Sequence, residues 1–299
     1  MKKTLRFLSM GIMAAVSAVS FAQTNVTNKL LNPDMEKGVL GWDITFTGGD
    51  LWKKTTKNQA DQPGFHGCSN TCLEVWRYNS GPMTNNSISQ TVKELPNGTY
   101  VFGAYMMANN DERADIRDMI EGVYLFANDE TTRVATNRAQ GMDTLWAHTA
   151  RFNVAAAVTD GTLKVGVKVE ETNTNFTLID NATLYYFGDM ELTEALNEMA
   201  KINIANTVAI ADTCLGKKMN VDTLAALNEA IEAAKALTTD AELYTADENL
   251  YWRIRLAVKS IKDYNKLAAA IADAKVVAEG EWTDFESRLT GAQYKRMDN

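Results

Sequence analysis

Two periods of apolar residues divide this chain. From about residue 28 to 188 the repeat is two. Thr162 to Val169 is its clearest stretch: Leu163, Val165, Val167 and Val169 share one face, and Lys164, Lys168 and Glu170 take the other. That alternation predicts a half-buried strand. Ile88 to Val92, Val123 to Ala127, a segment carrying Phe152 and Val154, and Thr177 to Phe187 read as further strands. Thr99 to Met107 is apolar on both faces, with Tyr100, Phe102, Ala104 and Met106 on one and Val101, Tyr105 and Met107 on the other. It is expected at the centre of a sheet covered on both sides. Leu95-Pro96-Asn97-Gly98 just before it contains the Asn-Gly step of a tight turn. Short strands separated by turns, with no helices between them, predict a β-sandwich or jelly roll.

Near Asp189 the period changes to that of a helix. Leu192, Leu196, Met199 and Ile202 form one apolar stripe, and Leu224, Leu227, Ile231, Ala234 and Leu237 a second. Leu250, Ile254, Ala257, Ile261, Tyr264, Ala268 and Ile271 alternate steps of four and three, a heptad seam. Thr245 and Glu248 are expected to cap this helix and Gly280 to end it. A three-helix bundle or short coiled-coil stalk follows. Thr283 to Tyr294 is a further amphipathic piece with a Thr283–Glu286 box and no obvious partner helix. Either the chain is a fragment of a longer protein or this piece packs on another copy. The predicted fold class is β then α: a sandwich over 24–188 and a helical bundle or spacer over 189–299.

Composition narrows the function classes. The formal net charge is −8, and no Lys/Arg cluster gathers on one predicted face, so nucleic acid is excluded as a partner. Residues 1–22 read as a signal peptide. Lys2, Lys3 and Arg6 precede a short apolar run, and Ser20 and Ala22 sit at −3 and −1 of a cleavage site. No later run is long and apolar enough to span a membrane. A secreted or cell-surface protein is expected. In an oxidising compartment Cys68 and Cys72 are expected to close a small disulfide loop, with two free thiols as the alternative. Cys214 falls in a helical region and reads as a small buried apolar residue.

Leu31 to Trp42 reads as a turn, a short strand and a second turn, with Asn32-Pro33-Asp34 as turn chemistry and Trp42 as a core plug. Glu36 beside Met35 is a carboxylate in an apolar setting, which calls for a partner. This opening segment resembles the first strand of galactose-binding-like jelly rolls, the fold of many carbohydrate-binding modules. Ile88-Ser89-Gln90-Thr91-Val92 with Leu95 to Tyr100 is similar to their middle strand pair, and Ile179-Asp180-Asn181-Ala182-Thr183-Leu184 to their closing strand. The helical tail resembles the FIVAR-type three-helix spacers that follow such modules in secreted glycan-degrading proteins. The resemblance implies a carbohydrate ligand and a structural Ca²⁺ held by Glu36 and Asp180, with loop carbonyls completing the shell. The plainer reading is that Glu36 pairs with a cation and Asp180 caps a turn.

Sugar binding needs flat aromatic faces and a few directional polar groups. Trp52, Trp76, Arg77, Tyr78, Asn109, Arg113 and Trp146 supply both, in or beside three long polar segments. Trp76 reads equally as a core residue, and Trp52 and Trp146 as hydrophobic lids. No catalytic constellation emerges. The two histidines, His66 and His148, lack metal-ligand spacing, and there is no nucleophile elbow or phosphate loop. The acidic run Asp111, Glu112, Asp115 and Asp118 reads as a solvated loop. The expected function is therefore non-catalytic carbohydrate binding. The alternatives are a structural or adhesive surface protein, with a protein partner on the helical tail, or a piece of a larger glycan-degrading enzyme.

Overall fold

The computed structural model describes residues 23–45, 53–56, 71–76, 83, 85–110, 119–135, 150–170, 174–237 and 239–279. The proposed signal peptide, Cys68, both histidines, the acidic run 111–118 and the piece 283–294 lie outside them.

The strands are β1 (Thr24–Asn25), β2 (Asp43–Thr45), β3 (Lys53–Thr56), β4 (Thr71–Trp76), β5 (Asn86–Val92), β6 (Gly98–Asn110), β7 (Met119–Ala127), β8 (Glu130–Ala135), β9 (Ala150–Val158), β10 (Leu163–Val169) and β11 (Thr174–Tyr186). They form two antiparallel sheets. The first runs β3-β4-β11-β6-β9, with β1 also against β11; the second runs β2-β5-β10-β7-β8. Leu73, Phe102, Met106, Val154 and Leu184 of the first sheet and Ile88, Val123, Leu125, Val165 and Val167 of the second share one buried core. The alternation read from the sequence puts these side chains between the sheets. β6 is an interior strand, between β11 and the edge strand β9 and not at the centre of the sheet, and it is buried on both faces, as its double apolar pattern predicts. β8 is polar (Glu130-Thr131-Thr132-Arg133) and forms the edge of its sheet, which explains its weak signal.

The Leu31–Trp42 segment differs from expectation, because its backbone is a run of turns with no strand. Asn32, Met35, Gly38 and Gly41 all have positive φ, which a strand forbids. Gln90 of β5 holds the segment: its Oε1 accepts the Leu31 N–H (2.7 Å), and its Nε2 donates to Leu31 O (3.1 Å) and Gly41 O (2.8 Å). Met35 and Trp42 are buried beneath it.

Three helices follow, α1 (Leu192–Asp212), α2 (Val221–Lys235) and α3 (Leu243–Glu279). Asn220 caps α2, accepting the N–H groups of Asp222 (2.8 Å) and Thr223 (3.2 Å). α3 starts at Leu243 after a 3-10 turn, so Thr245 and Glu248 lie inside the helix and do not cap it. α1 carries two stripes. Ala200, Ile204, Val208 and Ala211 join α2 and α3 in one core, which also buries Cys214 as expected. Ala195 and Met199 face the other way and pack with Val101 and Ala155 of the first sheet. The helices therefore lie on the outer face of the sandwich, with α1 against β6 and β9 and α3 against β9. Among the described residues no helix is long and apolar enough to cross a membrane.

Candidate functional site

The strand register decides where the segments singled out above emerge. β3 begins at Lys53, directly after Trp52, and Lys53 is opposite Glu74 of β4. β4 ends at Trp76, opposite Phe176. β6 ends at Asn110, with Asn109 also opposite Phe176 and Asn110 opposite Thr174. β9 begins at Ala150, shortly after Trp146, and pairs with Met106. These four strand ends lie at one end of the first sheet. Trp76 and Asn109 flank Phe176 on its two sides, so their backbones are about 9–10 Å apart, two strand spacings. The N–H of Met83 donates to Thr174 O (3.2 Å), returning the chain after Tyr78 to the same end. Asn109 belongs to a strand end and not to the loop in which the sequence placed it. Trp52, Arg77, Tyr78, Arg113 and Trp146 lie outside the described residues.

Cys72 corrects the disulfide expectation. It is a free thiol, fully buried on the outer face of β4 among Met107, Phe176 and Leu178. Turned into this apolar cluster, it behaves as a small hydrophobe rather than a bridge partner.

The two carboxylates expected at calcium lie on neighbouring segments, since Ala182 N–H donates to Pro33 O (2.8 Å). Glu36 is half-buried, and its Oε1 accepts the Thr71 N–H (3.2 Å). Asp180 is fully buried, and its Oδ1 accepts the Asn181 N–H (2.7 Å) at an irregularity of β11. Both therefore have backbone amide partners. Their oxygens are hard, as calcium requires, yet among the described residues no group of three or more His, Cys, Asp or Glu is placed to hold a metal.

The sequence reading missed a buried polar layer under the helices. On the outer face of the first sheet, Gly103 pairs with Asn153 and Thr183, and Tyr105 with Arg151 and Asp180. Gly103 is needed here, because a Cβ there would stand 2.4 Å from Asn153 Oδ1. Asn203 of α1 donates to Asn153 (3.3 Å), and Asn153 donates to Asp240 (2.8 Å). Thr207 of α1 donates to Asp247 of α3 (2.5 Å). Arg151 donates to Thr183 and lies 5.1 Å from the centre of the Tyr105 ring. Burial, and then the Asp247 carboxylate, push the Tyr105 phenol above its ordinary range, against Arg151 and Thr207. Burial pushes Asp240 up to about 6, opposed by the Asn153 hydrogen bond. Asn203 and Thr207 continue the Ala195–Met199 stripe at four-residue spacing. The only signal in the sequence was that spacing, which polar residues hide.

No family model and no curated protein matches the chain. Among solved structures, it is similar over part of its length to TmCBM61 in complex with beta-1,4-galactotriose: 19% identity over 53% of this chain and 97% of that one, TM-score 0.36. It is also similar to a cyclase from Fischerella sp. TAU (12% identity, 57% and 100% covered, TM-score 0.39). A third is a family 35 carbohydrate binding module from Clostridium thermocellum (11% identity, 55% and 97% covered, TM-score 0.29). At these scores the fold assignment rests on the chain's own sheet register: a β-sandwich followed by a helical region.

Proposed function

We propose that this is an exported, non-catalytic protein that binds a glycan at the end of its first sheet. The observation that carries the reading is that β3 begins, β4 and β6 end and β9 begins at one end of the first sheet, and that Trp52, Trp76–Tyr78, Asn109–Arg113 and Trp146 are at or next to these strand ends in the sequence. Aromatic planes at that end stack on sugar C–H groups, and Asn and Arg side chains give the directional hydrogen bonds. The helices cover the outer face of the same sheet, with α1 against β6 and β9 and α3 against β9.

A glycan array with the chain from Gln23, run beside Trp76→Ala and Trp52→Ala, tests it. The expected result is binding to a defined glycan that one folded variant loses. Silence of the folded protein across a broad array overturns it in favour of a structural or adhesive surface protein. A structural Ca²⁺ at Glu36 and Asp180 belongs to the same reading. Chelator is expected to lower the melting temperature of the wild type and to leave that of Glu36→Gln unchanged, and a wild-type melt indifferent to chelator removes calcium from the account.

A further inference from the structure

The seam of α3 outruns its partners. Leu250, Ile254 and Ala257 are buried against α1 and α2, and Ile261 packs at the rim. Ser260 marks the level where that cover stops, since its Oγ accepts the N–H of Asn220 in the turn between α1 and α2 (2.9 Å). From Ile261 the helix runs on to Glu279, about 27 Å. The same seam continues there in the open, with Tyr264 41%, Leu267 58% and Ile271 48% exposed. Ala268, Ala272 and Ala274 are exposed beside them. Lys262, Asp263, Lys266 and Asp273 take the other side of the heptad, so the bare stripe carries no charge. An apolar stripe of this kind marks a contact surface.

We propose that a second copy of this chain covers the stripe, the two α3 ends lying antiparallel in a two-fold pair. The continuity of the seam carries the orientation. The bare face is the one that meets α1 and α2 lower on the same helix. A parallel partner would run its own α3 into the space those two helices fill, whereas an antiparallel one keeps the two bundles at opposite ends. The order of large and small residues carries the register. With Ala268 level with the partner's Ile271, the two-fold axis sets Ile271 on the partner's Ala268, and Leu267 flanks the partner's Ala274. Each large side chain then meets a small one, as self-complementary packing requires. In this register Glu279 is level with the partner's Ser260, so each helix stops where the other's α1–α2 turn begins. A shift of one heptad deeper drives the helix end into that turn, and one heptad shallower leaves Tyr264 beyond the partner's α3. The overlap is short, so the pair is reversible, with a dissociation constant on the order of micromolar.

Sedimentation of the chain from Gln23 over a wide concentration range tests the pair. Expected is a monomer–dimer equilibrium that Ile271→Glu weakens about a hundredfold, because symmetry removes the same apolar contact twice. Ile271 is exposed, so that variant keeps its fold, as a melt verifies. Orientation is read from spin labels on Lys262→Cys in a Cys68→Ser background, where Cys72 and Cys214 are buried. The antiparallel pair sets the two labels more than about 20 Å apart along the helix axis. A separation of about 10 Å, one helix spacing, means a parallel pair and overturns the proposal. A folded protein that stays monomeric at every concentration overturns it in favour of another cover for the stripe. A dimer indifferent to Ile271→Glu overturns it by placing the contact elsewhere.

Discussion

The outer faces of the two sheets begin from the same pattern and end in opposite environments. On the second sheet the row Ser87, Lys168, Tyr124 and Arg133 faces water. Lys168 pairs with Glu170 (2.9 Å) and Arg133 with Glu121 (3.2 Å), all four well exposed. On the first sheet Arg151 and Asn153 hold equivalent outward positions but are 5% and 1% exposed, because α1 and α3 close over them. A cation on an open sheet contributes little, since water solvates it as well as its partner does. A cation under a helix must be met by fixed partners, and those partners in turn fix the helix. The polar layer thus specifies how the helical region sits, while the apolar contacts around Met199 supply the burial.

The sharpest way to break this contrast is to remove the same charge from both faces. Arg151→Met is expected to destabilise by about 3 kcal/mol, since Thr183 loses its partner and nearby buried carboxylates lose their cation. Equal losses for Arg151→Met and Arg133→Met in chemical denaturation would erase the distinction between the faces. Gly103→Ala comes next, at about 2 kcal/mol, because its Cβ collides with Asn153 Oδ1 and the layer must spread. Loss of α1 protection in hydrogen exchange is its specific readout.

Asp240 tests the layer through pH. Burial raises its carboxyl to about 6 in the folded chain, so the neutral form predominates only below that pH. The stabilisation is fully present below the unfolded value near 4 and is lost as pH rises through about 6. Asp240→Asn keeps the acceptor for Asn153 and is expected to gain about 1–2 kcal/mol at pH 7, reduced for partial solvation. At pH 3.5 its melt should coincide with that of the wild type, and a constant offset across pH would contradict the assignment. The smallest effect is Lys168→Met on the open face, about 0.5 kcal/mol or less by the same denaturation assay.

Much of the architecture was legible in the residues. Alternation in Leu163–Val169, the double apolar face of Thr99–Met107 and the helical stripes after Asp189 each follow from one side chain per backbone step, which a sequence displays directly. The candidate ligand residues were legible as types but not as a group. Trp52, Trp76, Asn109 and Trp146 are far apart along the chain, and only the antiparallel register among β3, β4, β11, β6 and β9 brings their strand ends together. Leu31–Trp42 misled because its apolar residues suggest a strand, while Gln90 of β5 holds it in turns. Cys72 misled because a pair of close cysteines cannot show that one side chain turns into an apolar cluster.

By itself, then, the sequence determined the periods, the order of strands and helices, and which faces are apolar, because these are local properties of the backbone and its side chains. Only the tertiary structure decided which polar face is covered, as Arg151 and Arg133 demonstrate. Burial of a polar residue depends on what approaches it from elsewhere in the chain, and no residue's own neighbours in sequence encode that approach.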